Sequence, residues 1–108
     1  MRGKNIERPA DHIQYALAIL GDKWTGLIIH ELSVHGARFC DSEIALPGIS
    51  PRTLSQRLSK LEIEGIVTKR LYCEHPPRYQ YELTRKGNGL QHILIKMAEW
   101  GSQHYLRE

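Results

Sequence analysis

The chain is 108 residues long, with 15 Lys and Arg against 12 Asp and Glu for a net charge of +3, and 41% of its residues are hydrophobic. That length suits one domain with a modest core, and the mild basic excess admits nucleic acid as a partner without requiring it. No apolar run is long enough to span a bilayer, and Met1-Arg2-Gly3-Lys4-Asn5 leads into no signal-peptide core, so a cytoplasmic protein without membrane contact is expected.

In chain order, residues 1–9, with Arg2, Lys4 and Arg8, read as a loosely ordered basic arm ending at Pro9, and residues 10–108 as the folded domain. Ile13, Ala16, Leu17 and Leu20 have helical spacing, closed by Gly21. Asp22 is placed to cap a second helix whose Trp24, Leu27, Ile28 and Leu32 face inward. Arg38-Phe39 reads as a short strand and Asp41 to Ala45 as a short helix.

The densest signals follow. Ser50 is a suitable N-cap, and Pro51 falls at the first helical position, where its missing N–H costs nothing. Leu54, Leu58 and Leu61 form one apolar stripe, and Gly65 supplies a left-handed stop. At about 100° per residue, Arg52, Gln56 and Ser59 point away from that stripe, with Ser55 beside them and Thr53, Arg57 and Lys60 at the margins. An isolated helix with such a face is usually just solvated. This face, however, lacks acids until Glu62, and Arg, Gln, Ser and Thr suit base edges and phosphates.

A hairpin comes next. Ile66 to Tyr72 and Arg78 to Leu83 read as paired strands, with Tyr79, Tyr81 and Leu83 alternating onto one face. Cys73 to Pro77 reads as a loop unable to continue the ladder, because proline donates no hydrogen bond. Lys69, Arg70 and Arg78 could then reach phosphates, unless they are merely solvated. From Ser50 to Gln80 there are six basic residues against three acids, so the whole positive excess of the chain sits in this region. Thr84 should cap a last helix with Leu90, Ile93, Leu94, Met97, Ala98 and Gly101 on its apolar side. The order α-α-β-α-α-β-β-α is α+β and mainly α: a winged helix-turn-helix with a three-stranded wing sheet and extra helices at both termini. In that arrangement a helix enters the major groove of DNA and the wing lies along the backbone.

Other chemistry lacks a constellation. His30 and His35 are five apart, off any shared helical face, and no Cys-x-x-Cys accompanies them, so no metal is expected. Gly87-Asn88-Gly89 lacks the Lys and Ser or Thr of a phosphate loop, and nothing arranges Ser, His and Asp for catalysis. Neither an enzyme nor a cofactor is expected. Neither Cys40 nor Cys73 is spaced for a structural disulfide.

The chain resembles the HxlR-type family of small winged-helix transcription regulators, close to MarR-like proteins. The resemblance runs from Asp11 to Gly101. It rests on Gly21-x-Lys23-Trp24, Arg38-Phe39, Leu46-Pro47-Gly48-Ile49-Ser50, Leu61-Glu62-x-x-Gly65-Ile66-Val67, Pro76-Pro77-Arg78-x-x-Tyr81-x-Leu83-Thr84-x-x-Gly87 and Trp100-Gly101. It implies a homodimer on double-stranded, pseudo-palindromic operator DNA, formed by the first and last helices, with a repressor the expected role. Tyr15, Ile93, Met97 and Trp100 are the interface candidates, although terminal helices can also pack only on their own domain. The alternative function is a winged-helix module that contacts protein rather than DNA.

Two departures from the family bear on regulation. Many members carry a thiol thirteen residues ahead of the tryptophan, where this chain has Asp11 followed by His12. Redox sensing would then fall to Cys73, near the wing loop, or to Cys40, which reads better as a packing residue. Glu74 beside Cys73 would raise rather than lower a thiol pKa. A small-molecule effector in a crevice lined by Tyr15, Trp24, Leu27 and Trp100 is the other expectation, with core packing the competing use of those side chains. Asp41-Ser42 is the second departure, because relatives usually place Leu where Ser42 stands, which would loosen the short helix.

Overall fold

In the computed structural model, which describes residues 8–35, 38–40 and 44–105, every helix begins where a carboxylate or hydroxyl meets the free amides of a first turn. Helix α1 (Pro9–Leu20) has Pro9 at its first position. The Asp11 carboxylate accepts from the Arg8 backbone N–H at 3.0 Å and from its guanidinium at 3.3 Å. Those two bonds hold the Asp11 carboxyl below its ordinary value, the backbone bond contributing most. The helix thus includes Pro9, which the sequence placed in the arm; residues 1–7 lie outside the described residues. Helix α2 (Thr25–Val34) starts on Asp22, which accepts from the amides of Trp24 at 2.8 Å and Thr25 at 3.0 Å.

Helix α3 (Pro51–Ile63) is capped at both ends by its own sequence. The Ser50 hydroxyl accepts from the Thr53 amide at 3.0 Å. At the far end Gly65 takes a φ of 77°, and the amides of Gly65 and Ile66 reach back to the carbonyls of Glu62 and Leu61 at 3.0 and 2.9 Å. That pair of bonds is the Schellman stop, which needs a residue tolerant of positive φ. Helix α4 (Arg85–His104) starts on Thr84, whose hydroxyl accepts from the Gly87 amide at 3.1 Å.

Strands β1 (Arg38–Cys40), β2 (Val67–Glu74) and β3 (Pro77–Leu83) form an antiparallel sheet in the order β1-β3-β2. β2 and β3 pair from Val67↔Leu83 to Glu74↔Pro77, with a register shift between Leu71 and Cys73. Cys73, Glu74 and Pro77, expected in the loop, therefore belong to the strands, and only His75-Pro76 turns the chain. Pro77 is tolerated because it is the first residue of its strand.

The core joins α2, α3, the sheet and the start of α4 through Ile28, Ile29, Leu32, Leu58, Leu61, Ile66, Val67, Tyr81 and Leu90. Tyr79 and Leu83 pack against it with Tyr81, on the face their alternation assigned. Two inward stripes differ from expectation. On α2, Thr25 and Ile29 are buried and Leu27 is exposed; the face that meets the sheet and α4 is centred on Thr25, Ile28, Ile29 and Leu32. On α1, Ile19 is the buried residue, while Ile13 and Leu17 stand in the open. The short helix expected at Asp41 to Ala45 is not seen at Ile44 and Ala45, which have no helical structure, and residues 41–43 lie outside the described residues. Among the described residues no helix is long and apolar enough to cross a membrane.

Candidate nucleic-acid interface

The capped start of α3 fixes which side chains it presents. Arg52, Ser55, Gln56 and Ser59 are all exposed and lie on one face at i, i+3, i+4 and i+7. The opposite side is sealed by Leu58 and Leu61, with Leu54 half-buried. No acidic residue stands in the first turn. The exposed face thus offers one guanidinium, one amide and two hydroxyls, donors and acceptors of the kind that read base edges in a major groove.

The remaining polar residues expected here are engaged within the fold. Ser50 spends its hydroxyl on the cap, accepting from the Thr53 amide and donating to the Thr53 hydroxyl at 3.0 Å. Arg57 donates through Nε to Asp22 at 3.1 Å, and Lys60 donates to the Ala18 carbonyl at 3.0 Å. Arg57 and Lys60, expected at the groove edges, thus also tie α3 to the elements behind it.

Asp22 is the centre of one such tie. Burial pushes its carboxyl up, but the Thr25 hydroxyl, the amides of Trp24 and Thr25, and Arg57 more than offset this and bring it down to about 2. One carboxylate therefore starts α2 and clamps α3. The sequence identified its capping role and missed its second partner, 35 positions away.

A second missed residue is Lys86. Its ammonium donates to the Glu64 carbonyl just past α3 and to the Tyr15 hydroxyl of α1, each at 2.7 Å. The available signal was electrostatic. Arg85 and Lys86 occupy the first turn of α4, where positive charge opposes the helix dipole.

On the wing, Lys69 lies over the Tyr79 ring at 4.2 Å from its centre. Arg70 is exposed beside it, and Thr68, Lys69, Arg70, Gln80 and Glu82 line a depression of about 280 Å³. Arg78 is exposed and pairs in register with Cys73 near the hairpin tip. Cys73 is a free, half-buried thiol, whereas the side chain of Cys40 lies outside the described residues.

Away from this face, Tyr15 on α1 and Ile93, Met97 and Trp100 on α4 are exposed by 53, 47, 57 and 66%. Of the residues expected to line an effector crevice, Trp24 packs on the core, and Tyr15, Leu27 and Trp100 are exposed. A cavity of about 680 Å³ instead lies under the start of α3, walled by Ile44, Leu46, Ile49, Leu54, Leu58 and Tyr81. Its lining begins directly after residues 41–43, which lie outside the described residues.

Residues 19–108 match the family described as HxlR-like helix-turn-helix. The chain is 41% identical over 99 residues to the uncharacterized HTH-type transcriptional regulator YvaP of Bacillus subtilis (strain 168), covering 92% of each protein. The reduced form of the transcriptional regulator YodB from B. subtilis superimposes with a TM-score of 0.73 at 34% identity, over 93% of this chain and 96% of that one. The redox regulator HypR in its oxidized form gives a TM-score of 0.76 at 31% identity, over 90 and 98%. YodB has also been solved bound to a quinone. These relatives are transcription regulators rather than enzymes.

Proposed function

The chain belongs to the HxlR-like helix-turn-helix family of DNA-binding transcription regulators, and from that premise we propose that it is a homodimeric repressor of a pseudo-palindromic operator. The face of α3 carrying Arg52, Ser55, Gln56 and Ser59 enters the major groove, with Thr53 and Ser50 at its leading edge. The wing residues Lys69, Arg70 and Arg78 lie along the phosphates. The observation that carries this reading is the makeup of α3, whose exposed face offers Arg52, Ser55, Gln56 and Ser59 and carries no acid in its first turn.

The dimer is formed by α1 and α4. Its support is exposed apolar surface on these two helices. Ile13, Leu17, Ile93, Met97 and Trp100 contribute to that surface. A two-fold axis between these helices sets two copies of α3 roughly 34–36 Å apart, one turn of DNA.

Sequence selection from random DNA followed by titration of the selected duplex tests the reading. Arg52→Ala or Gln56→Ala should cost about 1–3 kcal/mol on that duplex and relax preference at one base pair. An equal loss on random DNA would move these residues to phosphate contact. Arg78→Ala should weaken both duplexes alike and flatten the slope of log affinity against log salt by about one unit.

Regulation departs from the relatives. Quinone binding belongs to YodB; here Asp11 serves as a helix-capping carboxylate at the position where the family resemblance implies a thiol. The expected outcome is operator binding unchanged by diamide. Release by wild type but not by a Cys40→Ser/Cys73→Ser variant would assign sensing to those thiols.

A further inference from the structure

Helix α1 ends without a basic residue in its last turn, and α4 begins with two cations and no acid in its first. Each arrangement leaves a helix end electrostatically unfavourable on its own. The three-dimensional structure resolves both. Lys60, from the last turn of α3, supplies the missing charge to α1 by donating to the Ala18 carbonyl at 3.0 Å. Lys86, from α4, does the same for α3 by donating to the Glu64 carbonyl at 2.7 Å. Both carbonyls lie in helix-terminal turns, where no intrahelical donor is available.

Lys86 also donates to the Tyr15 hydroxyl at 2.7 Å, and its ammonium lies 5.4 Å from the centre of that ring. Tyr15 and Ala18 are three residues apart and so share one side of α1. Ile13 and Leu17, four apart, form a second stripe that remains exposed. Helix α1 therefore has one side fastened to the C-terminal end of α3 by two lysines and another side unpartnered within the monomer.

We propose that Lys60 and Lys86 are positioning residues that bracket the end of α3 against α1, so that the seating of α1 in the dimer sets the angle at which α3 meets DNA. This rests on the dimeric DNA-binding reading above, and goes beyond it by assigning the two lysines a role other than phosphate contact. Arg57 and Asp22 hold the middle of the same helix to α2, so the bracket governs its far end.

The test uses full-length protein, a duplex selected by wild type, and a random duplex of equal length. Lys60→Met and Lys86→Met should each weaken the selected duplex roughly tenfold, the size expected for losing one charge-assisted hydrogen bond. They should leave the random duplex and the salt slope unchanged. Tyr15→Phe, which removes only a hydroxyl on an exposed ring, should weaken the selected duplex in the wild-type background and have no further effect alongside Lys86→Met. Lys86→Arg should retain most of the affinity. Equal loss on both duplexes, with a salt slope flattened by about one unit, would make the lysines phosphate contacts and overturn the proposal.

A readout without DNA separates this inference from the regulator reading. Amide exchange at Glu64, Gly65 and Ile66 should speed up in Lys86→Met and Tyr15→Phe, without addition in the double variant. If wild type selects no sequence, the regulator reading fails and the exchange comparison still decides the bracket. Exchange unchanged by either substitution would dismiss it.

Discussion

Helices α3 and α4 start in the same way and finish differently. Each has a hydroxyl at its N-cap accepting from an amide three residues on, Ser50 from Thr53 and Thr84 from Gly87. The inward stripe of α3 ends in Leu58 and Leu61, exposed by 1 and 0%, and its last turn is closed by the Gly65 stop. On α4, Leu90 and Leu94 meet the core, while Ile93, Met97 and Trp100 form a second apolar row facing outward. Local capping is thus no guide to how completely a helix is used within one chain. α3 buries its leucine stripe inside the monomer and leaves Ile63 in its last turn exposed, whereas α4 leaves a whole row of large side chains for something outside it.

The largest test of that contrast is truncation on each helix. Leu58→Ala should cost about 2–5 kcal/mol in chemical denaturation, with a midpoint shift equal at all protein concentrations. Trp100→Ala combined with Met97→Ala should instead lower the midpoint by an amount that grows with protein concentration, and shift sedimentation toward monomer. A concentration-independent loss for the α4 pair would remove the distinction between the helices.

The next effect concerns how α3 is fastened. The folded Asp22 carboxyl ionises at about 2 against an ordinary value of 3.8. Its depressed pKa therefore adds stability that is fully present above pH 4 and is lost as pH falls through 2, worth roughly 2 kcal/mol. Asp22→Asn should remove that acid-dependent portion in a series of denaturation curves from pH 5 to 2, on the order of the same size. An unchanged pH profile would show that the carboxylate does not hold its α2-capping and Arg57 bonds in solution.

The smallest effect sharpens the likeness between the two starts. Ser50→Ala and Thr84→Ala should each cost about 1 kcal/mol by thermal unfolding. Thr84→Ala should cost more, because the same hydroxyl also shares its one proton between the carbonyls of Gly65 and Ile66. Equal losses would make those two bonds idle.

What the sequence disclosed follows the range of each interaction. The bounds of α3 were legible because Ser50, Pro51, the leucine stripe and Gly65 act within a few residues of one another, so each signal can be read without the fold. The exposed set Arg52, Gln56 and Ser59 followed from the same periodicity. The fates of Arg57 and Lys60 were not legible, because their partners Asp22 and Ala18 lie 35 and 42 positions away, and a charge on a helix face reads as solvated. The hairpin was placed correctly but its turn was drawn too long, since a proline was taken to end pairing that it can also begin. Leu27 was misassigned because an apolar residue beside a buried face fits the same spacing as one within it.

The joint at Thr84 has a mechanical meaning. A β-carbon added to Gly87 would collide with the Ile66 carbonyl, and the Thr84 amide and hydroxyl both bond that same carbonyl. A hinge needs slack, and here backbone lies directly on backbone with none to spare. The hairpin and α4 are therefore welded rather than articulated, like the blade and handle of one tool. A load applied at the hairpin tip is carried as torque into the long helix instead of being absorbed by a bend between them. In such a joint, stiffness comes from the absence of a side chain.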